Sequence, residues 1–522
     1  MVAPRDHSGA LIPQFYAGRS VFITGGTGFV GKVLVERLLA TCPDISRLYL
    51  LLRVKKGVSP VQRLAELKQS QVFDVVRQHC PKQLEKLQVL EGDVAAPGLG
   101  LAPDALYQLQ DVSVVFHSAA TLKFDEELRK AVDQNVRSVM RLLDICDTLP
   151  NMQAFIHVST GYSNAELYTV AERVYPPPAP LEAVLALTDH VPDPTLAQIT
   201  HKYIAPKPNT YTFTKALAET AVERHGNTGY AIAIFRPTIV ISAVKHPFPG
   251  WIENLNGPSG VVVAIGKGLL HVFRTKGSAV ADFLPVDIAV DTLIAVAWET
   301  ATDMSKEVRV YNCSTGENPT SFGEFEYNLR RDITKHPLDR ALWYPFGCTV
   351  ESRWARNVFE FVLHTVPLHA AEYISRLIGV KTPMNLITAG KRLTAMLDAL
   401  EFFAMREYRF ENGRVRALRA RLSPEDTKIY NLDVMSINWA EHYVDFVKGT
   451  RKYLLQEKDQ DLEAARKHLN KMWLLHNAMK LICLLVFLRV ILQKKFARNF
   501  LYETLRLLLS LFSTVYHRLL HA

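Results

Sequence analysis

Ser20-Val-Phe-Ile-Thr-Gly25-Gly-Thr-Gly28-Phe-Val-Gly31-Lys-Val-Leu-Val-Glu-Arg-Leu-Leu39 opens on an apolar run of strand type and closes on a run with a helical apolar face at Val30, Leu34 and Leu38. Between them lie Gly25, Gly28 and Gly31, and Gly26 completes an overlapping G-x-G-x-x-G. A strand that turns sharply into a helix needs residues without side chains at the turn. A Cβ there would block the backbone, and one at Gly31 would push the helix off the sheet. The first N–H groups of such a helix stay open and carry partial positive charge, which suits a diphosphate. Strand, glycine loop and helix in this order read as a dinucleotide site.

Outward from this unit, strands and helices alternate. Arg47–Arg53 reads as a second strand, apolar throughout because both faces are covered. It ends in Arg53, followed by Lys55 and Lys56, with no acid close in sequence. A guanidinium and two ammonium groups suit a ribose 2′-phosphate, so NADPH is expected over NADH. Residues 58–86 read as helical. Strands are expected at Leu87–Val94, at Asp111–Ala120 and at Ala154–Thr160, with a helix from about Glu126 to Leu149. This alternation predicts an α/β fold with a doubly wound parallel sheet, in which ligands sit at the carboxyl ends of the strands. Asp93 and His117 fall at such ends. The cofactor surface expected from the loop and the next strand ends comprises Thr24, Gly25, Thr27, Gly28, Phe29, Val30 and Gly31, with Arg53, Asp93, Val94, His117 and Ala119.

Chemistry is expected from Ser159, Thr160, Tyr211 and Lys215. Tyr211 and Lys215 are one turn apart on one helix face. A phenol near its reference pKa of about 10 is a poor catalyst at neutral pH. A neighbouring ammonium is expected to favour phenolate, and Lys215 is also expected to hold the nicotinamide ribose. A hydroxyl from Ser159 or Thr160 can stabilise charge developing on a carbonyl oxygen. With its strand end, Thr160 is favoured.

Thr24–Gly31, Ser159-Thr160 and Tyr211…Lys215 together resemble the extended short-chain dehydrogenase/reductase family. More narrowly, Val158–Asn164, Phe235–Val240 and Pro249–Gly260, with a long C-terminal extension, resemble the fatty acyl-CoA reductases over essentially the whole chain. That resemblance implies a Rossmann domain and NADPH-dependent reduction of a long-chain acyl-CoA, through an aldehyde, to a primary alcohol with release of CoA. It further implies that Arg236 and Pro237, ending a sixth strand over 229–237, lie near the nicotinamide. Family members commonly carry alanine where this chain has Gly161, a departure expected to loosen the turn. Rival readings are a membrane-bound hydroxysteroid dehydrogenase of the same fold and a regulator that binds NADPH without turnover.

Pro176–Pro180 is stiff; its segment is expected either over the cleft, as part of an acyl-binding region, or as a surface excursion. Asp287 is expected to cap a helix running to about Thr300, and 308–313 to close the sheet. Beyond Gly316 the alternation stops and residues 320–470 read as helical. The resemblance divides the chain into a reductase domain over 15–350, a helical C-terminal domain of male-sterility type over 351–460, and a tail over 470–522. For the aromatic stripes Leu400–Met405 and Tyr443–Phe446, core packing is expected ahead of a lipid tunnel.

The chain has 522 residues and a formal charge of +9. From Trp473 onward Lys480, Arg489, Lys494, Lys495, Arg498, Arg506 and Arg518 face only Glu503. A basic apolar tail suits an anionic membrane surface better than a nucleic acid. Trp473–Leu492 only just matches a bilayer core, and Phe500–Leu520 holds charges. A shallow hairpin or interfacial helices are therefore expected ahead of a firm crossing, with a pair of buried helices as the soluble alternative. Six scattered cysteines, without CxxC or histidine partners, predict no metal site and a reducing compartment. The N-terminus lacks the apolar run of a signal peptide, so the catalytic part is expected to face the cytosol, at an endoplasmic reticulum or peroxisomal membrane. Expected partners are a long-chain acyl-CoA, the membrane through the tail and, as one option, a second copy of the chain.

Overall fold

A computed structural model describes residues 9–226, 229–377, 379, 385–493, 503, 506 and 510. Seven strands form one parallel sheet: β1 (Ser20–Thr24), β2 (Arg47–Leu52), β3 (Leu87–Glu91), β4 (Val112–His117), β5 (Ala154–Val158), β6 (Ala231–Pro237) and β7 (Arg309–Cys313). Their spatial order is β7-β6-β5-β4-β1-β2-β3. The order reverses between β1 and β4, and the carboxyl ends there open a crevice beside the glycine loop. Apolar residues face both ways from each central strand, and two cores form, one on each side of the sheet. Helices α1 (Phe29–Thr41), α2 (Thr210–His225) and α3 (Val286–Asp303) supply much of that cover.

Several local expectations change. Residues 58–86 are helical as expected, though in four short pieces. The helix over 126–149 is interrupted by a π-turn at Asp133–Arg137. Asp287 does not cap its own helix: α3 starts at Val286, and the Asp287 carboxylate accepts from the backbone N–H groups of Val244, Lys245 and His246. It ties down the loop that precedes the Pro249–Gly260 stretch.

The region after Gly316 does not stand apart from the sheet. Arg409–Phe410 pairs with Thr169–Val170, and Cys348–Val350 pairs with Val272–Arg274. Residues 413–437 then pack under α3 and α1, where Arg37, 2 % exposed, bonds both Asp291 and the Ile429 carbonyl. Helix α4 (Leu386–Ala404) lies over the crevice, and Tyr443 and Phe446 are buried in core as expected.

Helix α5 (Leu462–Gln493) is continuous. Among the described residues it is the one helix long and apolar enough to cross a membrane, over Asp459–Arg489, and little of it is buried. At about 1.5 Å per residue it exceeds the roughly 30 Å of a bilayer core. The pair of buried helices weighed as the soluble alternative is not what α5 forms. The second arm of the expected hairpin, Phe500–Leu520, lies outside the described residues apart from Glu503, Arg506 and Ser510.

Candidate active site

The crevice is a single cleft of about 1220 Å³, running from the glycine loop past Thr160 and Tyr211 into an apolar arm under α4. Gly25 sits at φ 76°, and a Cβ there would lie 2.7 Å from the Ala119 nitrogen; at Gly31 it would lie 2.2 Å from the Gly25 carbonyl oxygen. No side chain caps α1, whose N-cap is Gly28, so its first N–H groups face the cleft unbonded by side chains. A backbone cradle with open donors at a helix start fits a dinucleotide diphosphate.

Thr27, Phe29, Val30, Val94 and Ala119 line this end of the cleft, as do Arg53 and Asp93. Arg53 has an acid after all: Asp93, remote in sequence, pairs with it at 3.1 Å. Both groups stay substantially exposed, so the pair is weak. A residue that the sequence reading passed over joins them. Arg63 donates to the Arg53 carbonyl at 2.6 Å and to the Thr27 hydroxyl at 3.2 Å. Two guanidinium groups therefore border the position expected for a 2′-phosphate.

Thr24 and His117 do not face the cleft. Thr24 is buried, and its hydroxyl meets His117 Nδ1 at 2.7 Å while accepting from the Ala119 N–H. Burial, with the Lys215 charge adding, pushes His117 down to about 3, so it is neutral. Its other nitrogen lies 3.3 Å from the Ser138 hydroxyl. Together they clamp the ends of β1 and β4 from below.

Asn209 caps α2 by accepting from the Thr212 N–H, which sets Tyr211 in the first turn, at the cleft wall. Burial pushes the Tyr211 phenol up to about 12, against the lowering effect of a hydrogen bond with Thr160. The phenolate expected from a neighbouring ammonium is thus replaced by a phenol held protonated at neutral pH. Lys215 spends its ammonium elsewhere, donating to the Val158 carbonyl at 2.7 Å, and burial lowers it to about 8. The structure also separates the two hydroxyls. Both residues border the cleft, but the Ser159 hydroxyl donates to the buried Glu219, whereas that of Thr160 bonds Tyr211.

Arg236 is the clearest departure. It is fully buried, with Nε 2.8 Å and a terminal nitrogen 2.6 Å from the two Glu219 oxygens, and it also donates to the Ala171 and Arg173 carbonyls. Four of its five N–H donors are so occupied, and Pro237 alone of the pair lines the cleft. Gly161 does not loosen its turn either. A Cβ there would meet Phe410 at 3.0 Å and Thr238 at 3.3 Å, so glycine makes room for a ring from the C-terminal region.

The apolar arm was not expected from the sequence in this form. Phe273, Phe325 and Leu329 line it together with Met396, Leu400 and Phe403 of α4. Part of the Leu400–Met405 stripe is therefore cleft wall, not core. Rings follow one another from the reacting centre into the arm, Tyr211 stacked on Phe124 at 5.9 Å and Phe124 tilted against Phe403 at 5.6 Å. No residue from 163 to 210 lines the cleft among the described residues, so the Pro176–Pro180 segment is the surface excursion of the two alternatives.

A profile described as male sterility protein matches residues 23–293, and a second of the same description matches 363–457. Fatty acyl-CoA reductase 1 of Xenopus laevis is 38% identical over 494 residues, 94% of this chain and 95% of that protein. The Homo sapiens protein of the same name is 36% identical over the same shares, as is fatty acyl-CoA reductase 2 of Bos taurus. In fold, the chain is similar to the reductase domain of a nonribosomal peptide synthetase from Mycobacterium tuberculosis, with a TM-score of 0.55 at 17% identity, covering 84% of this chain and 94% of that one. The terminal reductase domain of the myxalamid pathway gives 0.54 at 16%, covering 83% and 90%.

Proposed function

The chain belongs to the male sterility protein family, that of the fatty acyl-CoA reductases, and from that premise we propose that it reduces a long-chain fatty acyl-CoA through an aldehyde to a primary alcohol, releasing CoA, with NADPH as reductant. The observation that carries the reading is the continuity of one cleft. A phosphate-binding loop, a protonated phenol beside a hydroxyl, and an apolar arm follow one another without a break.

Bound over Gly25–Gly31, the cofactor supplies one hydride in each reduction step. Thr27, the α1 N–H groups, Arg53 and Arg63 would hold its phosphates, and Lys215, which lines the same cleft, would hold the nicotinamide ribose. Tyr211 donates its proton to the carbonyl oxygen as negative charge develops there, and Thr160 offers a second donor. Protonation of the thioester oxygen leaves a hemithioacetal, whose collapse breaks the C–S bond to give aldehyde and CoA thiol. In the second step the same phenol protonates the aldehyde oxygen, giving the alcohol. The arm takes the acyl chain, since each buried methylene contributes about 0.8 kcal/mol. No cysteine lines the cleft among the described residues, and none is needed.

The reading extends to a membrane-attached enzyme, its catalytic part in the cytosol at an endoplasmic reticulum or peroxisomal membrane. The support is the exposed apolar length of α5. The test is NADPH consumption by the membrane fraction with palmitoyl- and stearoyl-CoA, counting free CoA and alcohol together. Two NADPH per CoA, lost in Tyr211→Phe, is the expected result. Aldehyde accumulating at one NADPH per CoA would refute the two-step scheme, and no turnover with any acyl-CoA would refute the substrate.

A further inference from the structure

The helix Arg353–Glu360, its π-turn Phe361–Thr365 and the helix Val366–Leu377 form one rod that is built inside out for water. Trp354, Val358, Val362, Val366, Ala370, Tyr373 and Leu377 are all exposed, at spacings of four, four, four, four, three and four. Such a stripe would spiral round a regular α-helix, and the wide π-turn offsets part of that drift. Trp354 is 76%, Phe361 60% and both Tyr373 and Leu377 67% exposed. Three polar residues point the other way, while Arg353, Asn357, His369 and Arg376 stay exposed beside the stripe. Arg356 is buried among Glu360, Asp398 and Glu401, at 3.0, 2.6 and 2.9 Å. His364 and Glu372 are buried as well. A water-facing helix puts its apolar stripe inward; this one reverses the rule, and soluble monomers rarely expose a contiguous apolar patch of such length.

What covers the face follows from where it sits. His364 Nε2 accepts the His271 N–H at 2.8 Å, the His271 ring stacks on Phe346 at 4.2 Å, and Phe346 meets His476 of α5 at 4.4 Å. The Trp343 indole N–H donates to the same His476 at 3.1 Å. The rod and the point where α5 leaves the body are therefore joined by four consecutive side chains. From Leu474 onward α5 turns large apolar residues outward, among them Leu481, Leu484, Leu485 and Phe487. Arg353, Lys391 and Arg392 are exposed around the rod. Cations beside an apolar, aromatic stripe are the composition of a helix that lies in a bilayer interface.

We propose that the Trp354–Leu377 face rests in the interfacial layer of the bilayer that α5 enters, as a second membrane contact separate from the tail. The consequence for the cleft is direct. Helix α4 packs against the rod, with Thr394 donating to Glu360 at 2.6 Å, and its residues Arg392 and Ala395 are exposed and also line the arm. The arm thus reaches the surface beside the docked rod, at the depth where an acyl chain resides in lipid. The docking itself does not depend on the identity of the substrate.

The test uses the full chain with Cys80, Cys348 and Cys483 replaced by serine and a single NBD-labelled cysteine at Val358→Cys, Tyr373→Cys or Tyr107→Cys. Tyr107 is an exposed residue of the sheet half. Proteins that retain NADPH binding are reconstituted in phosphatidylcholine–phosphatidylserine vesicles carrying doxyl-lipids. Labels at 358 and 373 should be quenched several-fold more than at 107, and Val358→Glu with Val362→Glu should abolish the excess at 373. Equal quenching at all three positions, with the protein bound through its tail, would overturn the proposal. So would a label at 358 shielded without doxyl quenching and only at high protein concentration, which would make the face a contact between copies.

Discussion

Alanine at Arg53 and at Arg63 separates a 2′-phosphate site from a chance cluster of surface charge. A hydrogen bond to a charged group contributes about 1.5–3 kcal/mol net. Arg53 must loosen its exposed pair with Asp93 to meet a phosphate, and such a pair is worth about 0–1 kcal/mol. The difference leaves about 0.5–3 kcal/mol for Arg53, about 2–160-fold in affinity, and Arg63, which has no such pair to loosen, keeps about 1.5–3 kcal/mol, about 10–160-fold. NADPH and NADH titrations followed by nicotinamide fluorescence should show Arg53→Ala and Arg63→Ala weakening NADPH by those factors while NADH binding stays within about twofold. Asp93→Asn is the counter-test. It keeps the acceptor used by the Ala95 N–H but removes the charge, so Arg53 is freed and NADPH should bind more tightly, by about fivefold at most. Equal losses for both cofactors, or a loss in Asp93→Asn, would refute the assignment.

Tyr211→Phe should lower kcat by about 10²–10⁴-fold with NADPH affinity retained, and Thr160→Val by about 10²–10³-fold. Ser159→Ala should leave kcat within a few-fold, because its hydroxyl serves Glu219; the reverse ranking would move the donor to Ser159. Lys215, lowered to about 8, carries its charge below that pH and loses it above, so kcat/KM should fall on the alkaline side with a midpoint near 8. Lys215→Arg should remove that limb, and a profile flat past the midpoint would refute the role of the ammonium. Arg236→Ala strands Glu219 as an uncompensated buried charge, which costs about 3–5 kcal/mol. A thermal melt should show a large fall in Tm, whereas an unchanged Tm with lost NADPH binding would restore Arg236 to the cofactor site.

How far the sequence was legible depends on the range of the interaction. The glycine loop, the strands and the Tyr211–Lys215 pair are local: period, turn chemistry and spacing within a few residues determine them. The errors cluster where a partner lies far along the chain. Arg236 was expected near the nicotinamide from the resemblance alone, and its pairing with Glu219 cannot be read from the sequence. Arg53 looked unpaired because Asp93 is forty residues away. Tyr211 was assigned a lowered pKa from one nearby ammonium, whereas desolvation, which depends on everything packed around it, dominates and raises it. The Leu400–Met405 stripe has the same apolar pattern whether it faces a core or a cavity, and only the position of α4 over the crevice distinguishes the two.

The boundary expected at residue 350 makes the strongest case for long-range interleaving. Beyond it the chain returns to the sheet half: the Arg414 N–H binds Glu172 at 2.8 Å, Arg421 binds Glu299 at 2.6 Å, and the Asn431 N–H binds Asp291 at 2.9 Å. At the other end of the chain, the N–H groups of Leu11 and Ile12 both bind Asp426 at 3.0 Å. Leu418, Ile429, Tyr430, Leu432, Val434 and Ile437 are all buried in the same core as β1 and α1. At about 1.5–3 kcal/mol for each buried side chain, their removal costs together about 9–18 kcal/mol. That is an upper estimate, because the unfolded chain already buries some of this surface, but it rivals the entire stability of a typical domain, about 5–15 kcal/mol. A fragment of residues 1–350 should therefore be insoluble or melt without cooperativity and bind no NADPH. Residues 1–460, which keep the return segment, should bind NADPH as the full chain does. A soluble 1–350 fragment with a cooperative melt and intact NADPH affinity would show the return segment to be dispensable and the sequence boundary to be the real one.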